Sequence, residues 1–523
     1  MKKSIVLNHP VLSVLLFSLS LMSPGCKKAM ESEPVDNSQL LVSSLSVALV
    51  PGGEQRVTVN AFDKDGNSES FNVSSENPGI ASVSKSDSIF TITGVDYGST
   101  TITVTSFSGN SQEVPVKIYN PQILETDELM ITFSQTFDLI GSLDFPFSPT
   151  GSFYNPVSTT DGFKPLGSLN ISGIDNPNGT HGVMLVKAKD GSDALAAPVD
   201  YTLLWASDAT GGISLWVPVP PDGYKAMGIV AHSGTFPVKP SLDAVVCVRE
   251  DLTVPGDAGE LVYQASNPSI SGIPYFRSWK IEPPISGPHE NAYLSTGTFI
   301  AAIGSSSYPD APSANPVMNV LDVQLPLLTE TPYQQYVPRL TSFDPPPDET
   351  VPILARSMLV PCTIVNDSLY DGDPSWRFTN SPFYVLERQV FYKLLYHTYN
   401  QTSIMQPNSY KKIYGVTTTE SHKFWNETGI SVSVEGGISI GIFSGKVTAT
   451  VSTSFGYSTM TSVAELQEDE YDSGINVPAG KAVAIWQRYN RFVLKRLNGT
   501  SLEPVAVWEF GINSFVTDEY PDE

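Results

Sequence analysis

Residues 430 to 459 read Ile-Ser-Val-Ser-Val-Glu-Gly-Gly-Ile-Ser-Ile-Gly-Ile-Phe-Ser-Gly-Lys-Val-Thr-Ala-Thr-Val-Ser-Thr-Ser-Phe-Gly-Tyr-Ser-Thr. Ile430, Val432, Val434, Ile438, Ile440 and Ile442 alternate with Ser431, Ser433, Glu435, Gly437, Ser439 and Gly441, the period of a strand with one apolar and one polar face. After a turn at Phe443-Ser444-Gly445-Lys446 the alternation resumes at Val447, Ala449, Val451, Phe455 and Tyr457. The spacing predicts a hairpin with arms 430–442 and 447–459. At ~3.3 Å per residue such an arm spans roughly 43 Å, or about 33 Å when tilted by ~40°, which crosses a bilayer. A half-buried sheet of a soluble domain alternates as well. Two features favour insertion: the arms exceed the usual strand of about 5 to 6 residues, and Ser and Thr stand where a solvated face normally carries Lys and Glu.

Upstream of the hairpin, prolines cluster between Thr331 and Val351, as in Phe343-Asp344-Pro345-Pro346-Pro347, and mark a connection. Ser381-Pro382 has the form of an N-cap followed by proline at the first helical position, and Phe383, Leu386, Val390 and Leu394 recur at helical spacing. One helix with a buried stripe is predicted there. Thr417 to Thr419, the Ser/Thr-rich hairpin and Ile475-Asn476-Val477-Pro478-Ala479-Gly480-Lys481 give residues 411–508 a pattern that resembles the pore-forming module of aerolysin-like toxins. The last of these stretches looks like the proline-glycine step before that family's return strand. The resemblance implies a long antiparallel sheet, an inserting hairpin and a homo-oligomer in the pore state. Because the chain after Trp508 is short, strands upstream must complete that sheet.

The whole chain has 523 residues, a length that suggests about three domains. With 39 Gly, 41 Pro and abundant Ser and Thr, it suits many short strands and turns, so the fold class is mainly β and multidomain. The net charge of −24 repels phosphate backbones and anionic headgroups, which excludes nucleic acid as a partner. Lys2 and Lys3, the apolar run from Val11 to Met22 and then Ser23-Pro24-Gly25-Cys26 read as a cleaved export signal, too short to span a membrane. Small residues before the first cysteine resemble a bacterial lipobox, which makes Cys26 the candidate lipidation site and places the protein on the outer membrane or cell surface. Ser23 departs from the leucine usual in that pattern. Residues 27–40 then form a polar tether.

From Leu41 to Tyr119, strand-like Val57-Thr58-Val59, Ile89 to Thr93 and Thr100 to Thr105 alternate with turns at Pro51-Gly52-Gly53 and Asp63 to Asn67. Ser74 to Val83, followed by Gly94 and Gly98 to Val104, resembles the bacterial immunoglobulin-like domain, group 2, a resemblance that implies a spacer or adhesion module. Asp63 to Asn67 also matches the start of an EF-hand loop, but Ser74 stands where its bidentate Glu is required, so the segment reads as a plain turn. Further on, Tyr154-Asn155-Pro156-Val157 with Asp161-Gly162-Phe163-Lys164-Pro165-Leu166-Gly167 recurs as Trp216-Val217-Pro218-Val219 with Asp222-Gly223-Tyr224-Lys225-Ala226-Met227-Gly228. A looser third copy runs from Trp279-Lys280-Ile281-Glu282-Pro283-Pro284 to Ser295 through Phe299, so three sheets about a pseudo-threefold axis, a β-prism, would satisfy the count. Trp216 to Gly228, Lys239-Pro240, Cys247 to Leu252 and Ser295 to Phe299 resemble the family of the vacuolar protein sorting-associated protein number sixty-two, which implies a β-rich, ligand-binding module; the aromatic and Lys positions of the repeat are candidates to line a glycan or lipid site. The repeated Gly, Pro and Trp also read as turn and core elements.

The domains expected are therefore 1–26 signal, 27–40 tether, 41–119 immunoglobulin-like, 125–330 repeated β domain, 331–380 connection, and 381–523 helix plus hairpin. Cys247 and Cys362 remain in a compartment that permits a disulfide, and sequence leaves open whether they pair or stay buried thiols. No CxxC or HxxxH spacing offers a metal site, and no cofactor motif is present. Gly437-Ile438-Ser439-Ile440-Gly441 matches the hydrolase GxSxG in form only, since no helix follows Ser439. His181, His232, His289, His397 and His422 are scattered, so no catalytic residue is nominated. The leading expectation is a non-enzymatic surface lipoprotein that binds a target and forms a β-barrel pore; the alternative is an adhesion or ligand-binding lipoprotein whose C-terminal sheet never inserts.

Overall fold

The computed structural model describes residues 38–144, 150–207, 212–234, 238–266, 275–284, 291–330, 333, 336–365, 367, 374–415, 430–433, 439–442, 449–450, 469–497, 500, 502 and 507–521. Cys26 and the expected signal and most of the tether lie outside them.

Strands Gln39–Val42, Glu54–Phe62, Ile89–Gly94 and Ala81–Ser86 form one four-stranded sheet, and Val47–Leu49, Ser111–Ile118, Gly98–Ser106 and Phe71–Ser75 form a second. Their inward positions are the β-branched and aromatic residues of the alternating runs, with Val57, Phe90, Ile92, Ile102, Val104 and Val114 fully buried between the sheets. Asp63 is a turn residue: its Oδ1 accepts from the backbone N–H groups of Asp65 and Asn67, both at 2.9 Å. Because this core closes within the segment, residues 41–119 are expected to fold as an isolated fragment with a dispersed amide spectrum. A collapsed spectrum from that fragment would refute the boundary. The unit is also docked against the rest of the chain. Val50 and Tyr119 join an apolar cluster shared with Leu129, Met184 and Leu321 of the middle segment and Leu359, Tyr384 and Trp508 of the C-terminal one.

The middle segment contains one unit three times. Three-stranded sheets form from Phe137–Leu143, Gly151–Pro156 and Leu169–Ser172; from Asp200–Ala206, Ile213–Val219 and Val230–Ser233; and from Asp257–Ser266, Tyr275–Glu282 and Phe299–Gly304. In each, the second strand lies in the centre. Tyr154, Trp216 and Trp279 occupy one equivalent position, opposite Leu139, Leu203 and Leu261 respectively, and the register shifts just after each of those leucines. The loose third copy is thus a full structural unit. The three meet at Gly167, Gly228 and Thr298: Ser168 N–H donates to Ile229 O at 2.9 Å and Ile229 N–H to Phe299 O at 3.1 Å. A Cβ on Gly228 would sit 2.6 Å from Thr298 Cβ, which explains why the repeat ends in glycine. The Gly of each Asp-Gly-aromatic-Lys stretch has positive φ, +76° at Gly162 and +82° at Gly223.

The C-terminal segment is a five-stranded antiparallel sheet in the order Leu327–Glu330, Ile353–Pro361, Phe383–Tyr399, Ala482–Arg496, Val507–Tyr520. Upstream strands complete it, as the short tail after Trp508 required. Two expectations are corrected here. Residues 331–380 are more than a connection, since Ile353–Pro361 is a strand of this sheet, buried along nearly its whole length. The helix expected from Pro382 is instead a 17-residue central strand. From Phe383 to Tyr392 its aromatic and aliphatic residues are buried or half-buried on both faces, so a strand flanked on either side by partners satisfies them where a single helical stripe would not. The helix lies just before, at Pro374–Asn380, and Ser381 N–H donates to Arg377 O at 2.9 Å, so Ser381-Pro382 ends that helix and opens none.

Cys247 and Cys362 are both free and buried, in separate apolar clusters, so the disulfide that sequence left open is not formed. Burial pushes both thiols up to about 12, which leaves them protonated and unreactive.

Candidate functional site

Two features of this scaffold carry possible function: the segment inserted in the C-terminal sheet and a cleft in the middle segment. Strand Gln406–Tyr414 pairs with Asp469–Val477 along its full length, from Gln406 opposite Val477 to Tyr414 opposite Asp469. Residues 415–468 therefore leave and rejoin this ribbon at one register position. The ribbon is fastened to the large sheet by Gln487 Nε2, which donates to Ile413 O at 2.7 Å, and by Gly415 N–H, which donates to Gly511 O at 2.8 Å. After Val477, the Pro478 to Gly480 step turns the chain into the return strand at Ala482, with Gly480 at φ +72°.

Inside the inserted segment, Ile430–Ser433, Ser439–Ile442 and Ala449–Thr450 form a small antiparallel sheet in that order. The expected first arm is corrected: Ile430 lies opposite Ile442, Val432 opposite Ile440 and Ser433 opposite Ser439, so the chain reverses between Ser433 and Ser439. Gly436-Gly437, a strong turn signal, falls in that interval. The second reversal separates Ile442 from its partner Ala449, where the turn was expected. The register sets apolar residues opposite apolar and polar opposite polar throughout, so the two-faced pattern survives the change of arm. Val434, Ile438, Val447, Val451, Phe455 and Tyr457 lie outside the described residues. Ser439 opens a strand that is followed by another strand, which removes the hydrolase reading.

The cleft has a volume of about 870 Å³ and opens between the first and third units of the middle segment. Leu169, Ile171, Leu261 and Phe299 give it an apolar base, while Asp175, Glu260, Lys280 and Glu282 line it with charge. Lys280 Nζ lies 2.6 Å from Glu260 Oε2, both largely solvated. His181 also lines it, within 3.0 Å of Thr180 Oγ1, and desolvation followed by the nearby Lys280 charge holds its pKa below the usual histidine value. Three carboxylates against one lysine make a cleft that accepts hydrogen bonds from hydroxyl or ammonium groups over an apolar floor. Sequence reasoning named Lys280, Glu282 and Phe299 as parts of the repeat and His181 as a scattered histidine, and did not bring them together as one lining, although a signal was present. The third copy puts Lys280 and Glu282 where the other copies have Asn155 and Val157, or Val217 and Val219. Among the described residues no group of His, Cys, Asp and Glu is placed to hold a metal, and no helix is long and apolar enough to cross a membrane.

Three family models match the chain, one per segment. Residues 38–116 match the bacterial Ig-like domain (group 2), residues 123–341 match vacuolar protein sorting-associated protein 62, and residues 353–517 match insecticidal crystal toxin, P42. The C-terminal segment is therefore similar to that toxin family, on a chain whose N-terminal segment is similar to the immunoglobulin-like domain, an arrangement suited to an exported or surface protein. Among solved structures, GNIP1Aa from Chromobacterium piscinae is 18% identical over 37% of this chain and 35% of its own, with a TM-score of 0.29, so this chain spans about a third of that relative. Cry35Ab1 is 13% identical over 63% of this chain and 89% of its own, also at TM-score 0.29. The oligomeric pore-forming toxin pro-Monalysin is 10% identical over 26% of this chain and 61% of its own, at TM-score 0.15. No curated protein gives a significant match.

Proposed function

We propose that this protein is held on a bacterial surface through an acylated Cys26, engages a target through the cleft of its middle segment, and delivers residues 415–468 into a membrane as part of an oligomeric β-barrel. One observation supports delivery above all: the inserted segment joins the ribbon at a single register position, Tyr414 opposite Asp469, so it can extend without breaking a pair of the large sheet. The apolar-opposite-apolar register of Ile430, Val432, Ile440 and Ile442 gives it the face a lipid-exposed strand needs. Extension would convert the reversal between Ser433 and Ser439 into continuous strand. The matched toxin family supports the same reading. The cleft, with carboxylates over an apolar base, suits the hydroxyls and C–H faces of a glycan or a lipid headgroup. The proposed role is non-catalytic.

A second reading, an adhesion protein whose sheet never inserts, is favoured by the closed pairing of Ile430–Ser433 with Ser439–Ile442. Leakage of dye-loaded liposomes by the chain from Lys27 onward decides between the two. Release supports the pore, and intact liposomes across lipid compositions leave adhesion. For the anchor, Cys26→Ala is expected to move the protein from the membrane to the soluble fraction, because a lost acyl chain removes the proposed attachment. Unchanged fractionation would disprove it.

A further inference from the structure

The far end of the large sheet carries a loop that no part of the proposed function uses. Strand Phe383–Tyr399 begins in the apolar cluster shared by all three segments and ends roughly 55 Å away, at ~3.3 Å per residue, beside Ala482 and Tyr520. That end has a core of its own, built on Leu340, Tyr392 and Trp486. Beyond it, Ile404 is 70% exposed and Met405 59%, and Phe343 and Tyr399, 38% and 37% exposed, pack with ring centroids 4.4 Å apart and planes tilted by 34°. Single exposed apolar residues are ordinary on a protein surface; four at one tip are not.

The loop is held rigid. Asn400, 1% exposed, donates from Nδ2 to Ile404 O at 2.8 Å and to Val477 O at 2.9 Å, while its Oδ1 accepts from Thr402 N–H and Oγ1 at 3.0 and 2.6 Å. Its backbone N–H donates to Lys481 O, and Gly480 N–H donates to its carbonyl. A buried amide that makes four side-chain bonds fixes the loop in a form that keeps Ile404 and Met405 in water, a cost that nothing inside the fold offsets.

We infer that this tip seats in the interfacial layer of a zwitterionic lipid bilayer. An aliphatic pair that enters the acyl boundary, beside aromatic rings able to lie at headgroup depth, is the composition that interface selects. Around it the carboxylates Asp344, Asp518 and Glu519 outnumber the two cations Lys481, whose Nζ is 3.2 Å from Glu519, and Arg339, exposed beside Leu340, so an anionic surface is disfavoured. The inference deepens the membrane reading, and binding and leakage can be scored separately.

The test is flotation of the chain from Lys27 onward with phosphatidylcholine vesicles, with and without added phosphatidylglycerol. Wild type should float with phosphatidylcholine and less with the anionic mixture. The Ile404→Ser, Met405→Ser double variant should lose at least tenfold in partition at an unchanged melting temperature. Phe107→Ser, which removes the 86% exposed phenylalanine of the immunoglobulin-like unit, should behave as wild type. Ile404→Trp should gain a blue-shifted emission component on phosphatidylcholine vesicles. Equal flotation of the double variant, unshifted emission, or no wild-type flotation overturns the inference. Flotation that depends on Ile404 and Met405 without leakage upholds the tip and removes the pore.

Discussion

Replacing Asp367 by alanine is expected to cost ~3–5 kcal/mol, because it strips the counter-charge from a guanidinium that has no access to water. Asp367 is 0% exposed and Arg496 4%, and the two are joined in a bidentate pair, Nε to Oδ2 and Nη2 to Oδ1, both at 2.9 Å. Tyr384 O–H adds a third bond to Oδ2 at 2.8 Å, and burial followed by this carboxylate raises the tyrosine above its ordinary pKa. The cluster ties residue 367 to two neighbouring strands at the end of the sheet that meets the other segments. Urea unfolding monitored by tryptophan fluorescence should show the midpoint of Asp367→Ala fall steeply. An apolar double replacement, Asp367→Leu with Arg496→Met, should recover much of the loss, since removing both charges leaves no orphan. A single variant as stable as wild type would show the pair to be solvated.

The hairpin substitutions should separate into two kinds. Lysine at Val432, Ile440 or Val451 is expected to cost roughly 2–4 kcal/mol of insertion near the bilayer midplane and abolish conductance, whereas lysine at Ser433, Ser439 or Thr450 enters the lumen and should mainly shift ion selectivity. The observed register strengthens the contrast, since Val432 lies opposite Ile440 and Ser433 opposite Ser439. Planar-bilayer conductance with circular dichroism on the six variants measures it. Folded wild type that conducts under no lipid condition retires the pore in favour of adhesion.

Local pattern foretold the fold wherever one element met water on one side. Val57 to Val59, Ile89 to Thr93 and Thr100 to Thr105 alternate because each lies on a sheet with one wet face, and all three are strands. The repeat ending at Gly167 and Gly228 was legible because a close approach at a common centre admits almost no side chain. Phe383 to Tyr399 was not legible: its first ten residues are covered on both faces and so show no period of two, and the apolar ones fell by chance at helical spacing. In the first hairpin arm the alternation masked the reversal between Ser433 and Ser439, because both halves of the hairpin share one parity. The cleft and the distal loop depend on residues far apart in the chain, such as Asp175 with Lys280 and Asn400 with Val477, and no local window holds both.

The threefold construction of the middle segment bears on how such a protein could change its target. Units one and two fill their outer faces with Phe137 beside Tyr154 and Tyr201 beside Trp216, whereas the third has Gly259 at the corresponding place in the chain, an additional bulge, and the Glu282 side chain over the gap. All three copies hold the common centre, the outer face of the third has diverged, and the cleft opens between that copy and the first. Substitutions confined to the third copy can therefore alter recognition while the backbone contacts that join the copies at Gly167, Gly228 and Thr298 stay in place.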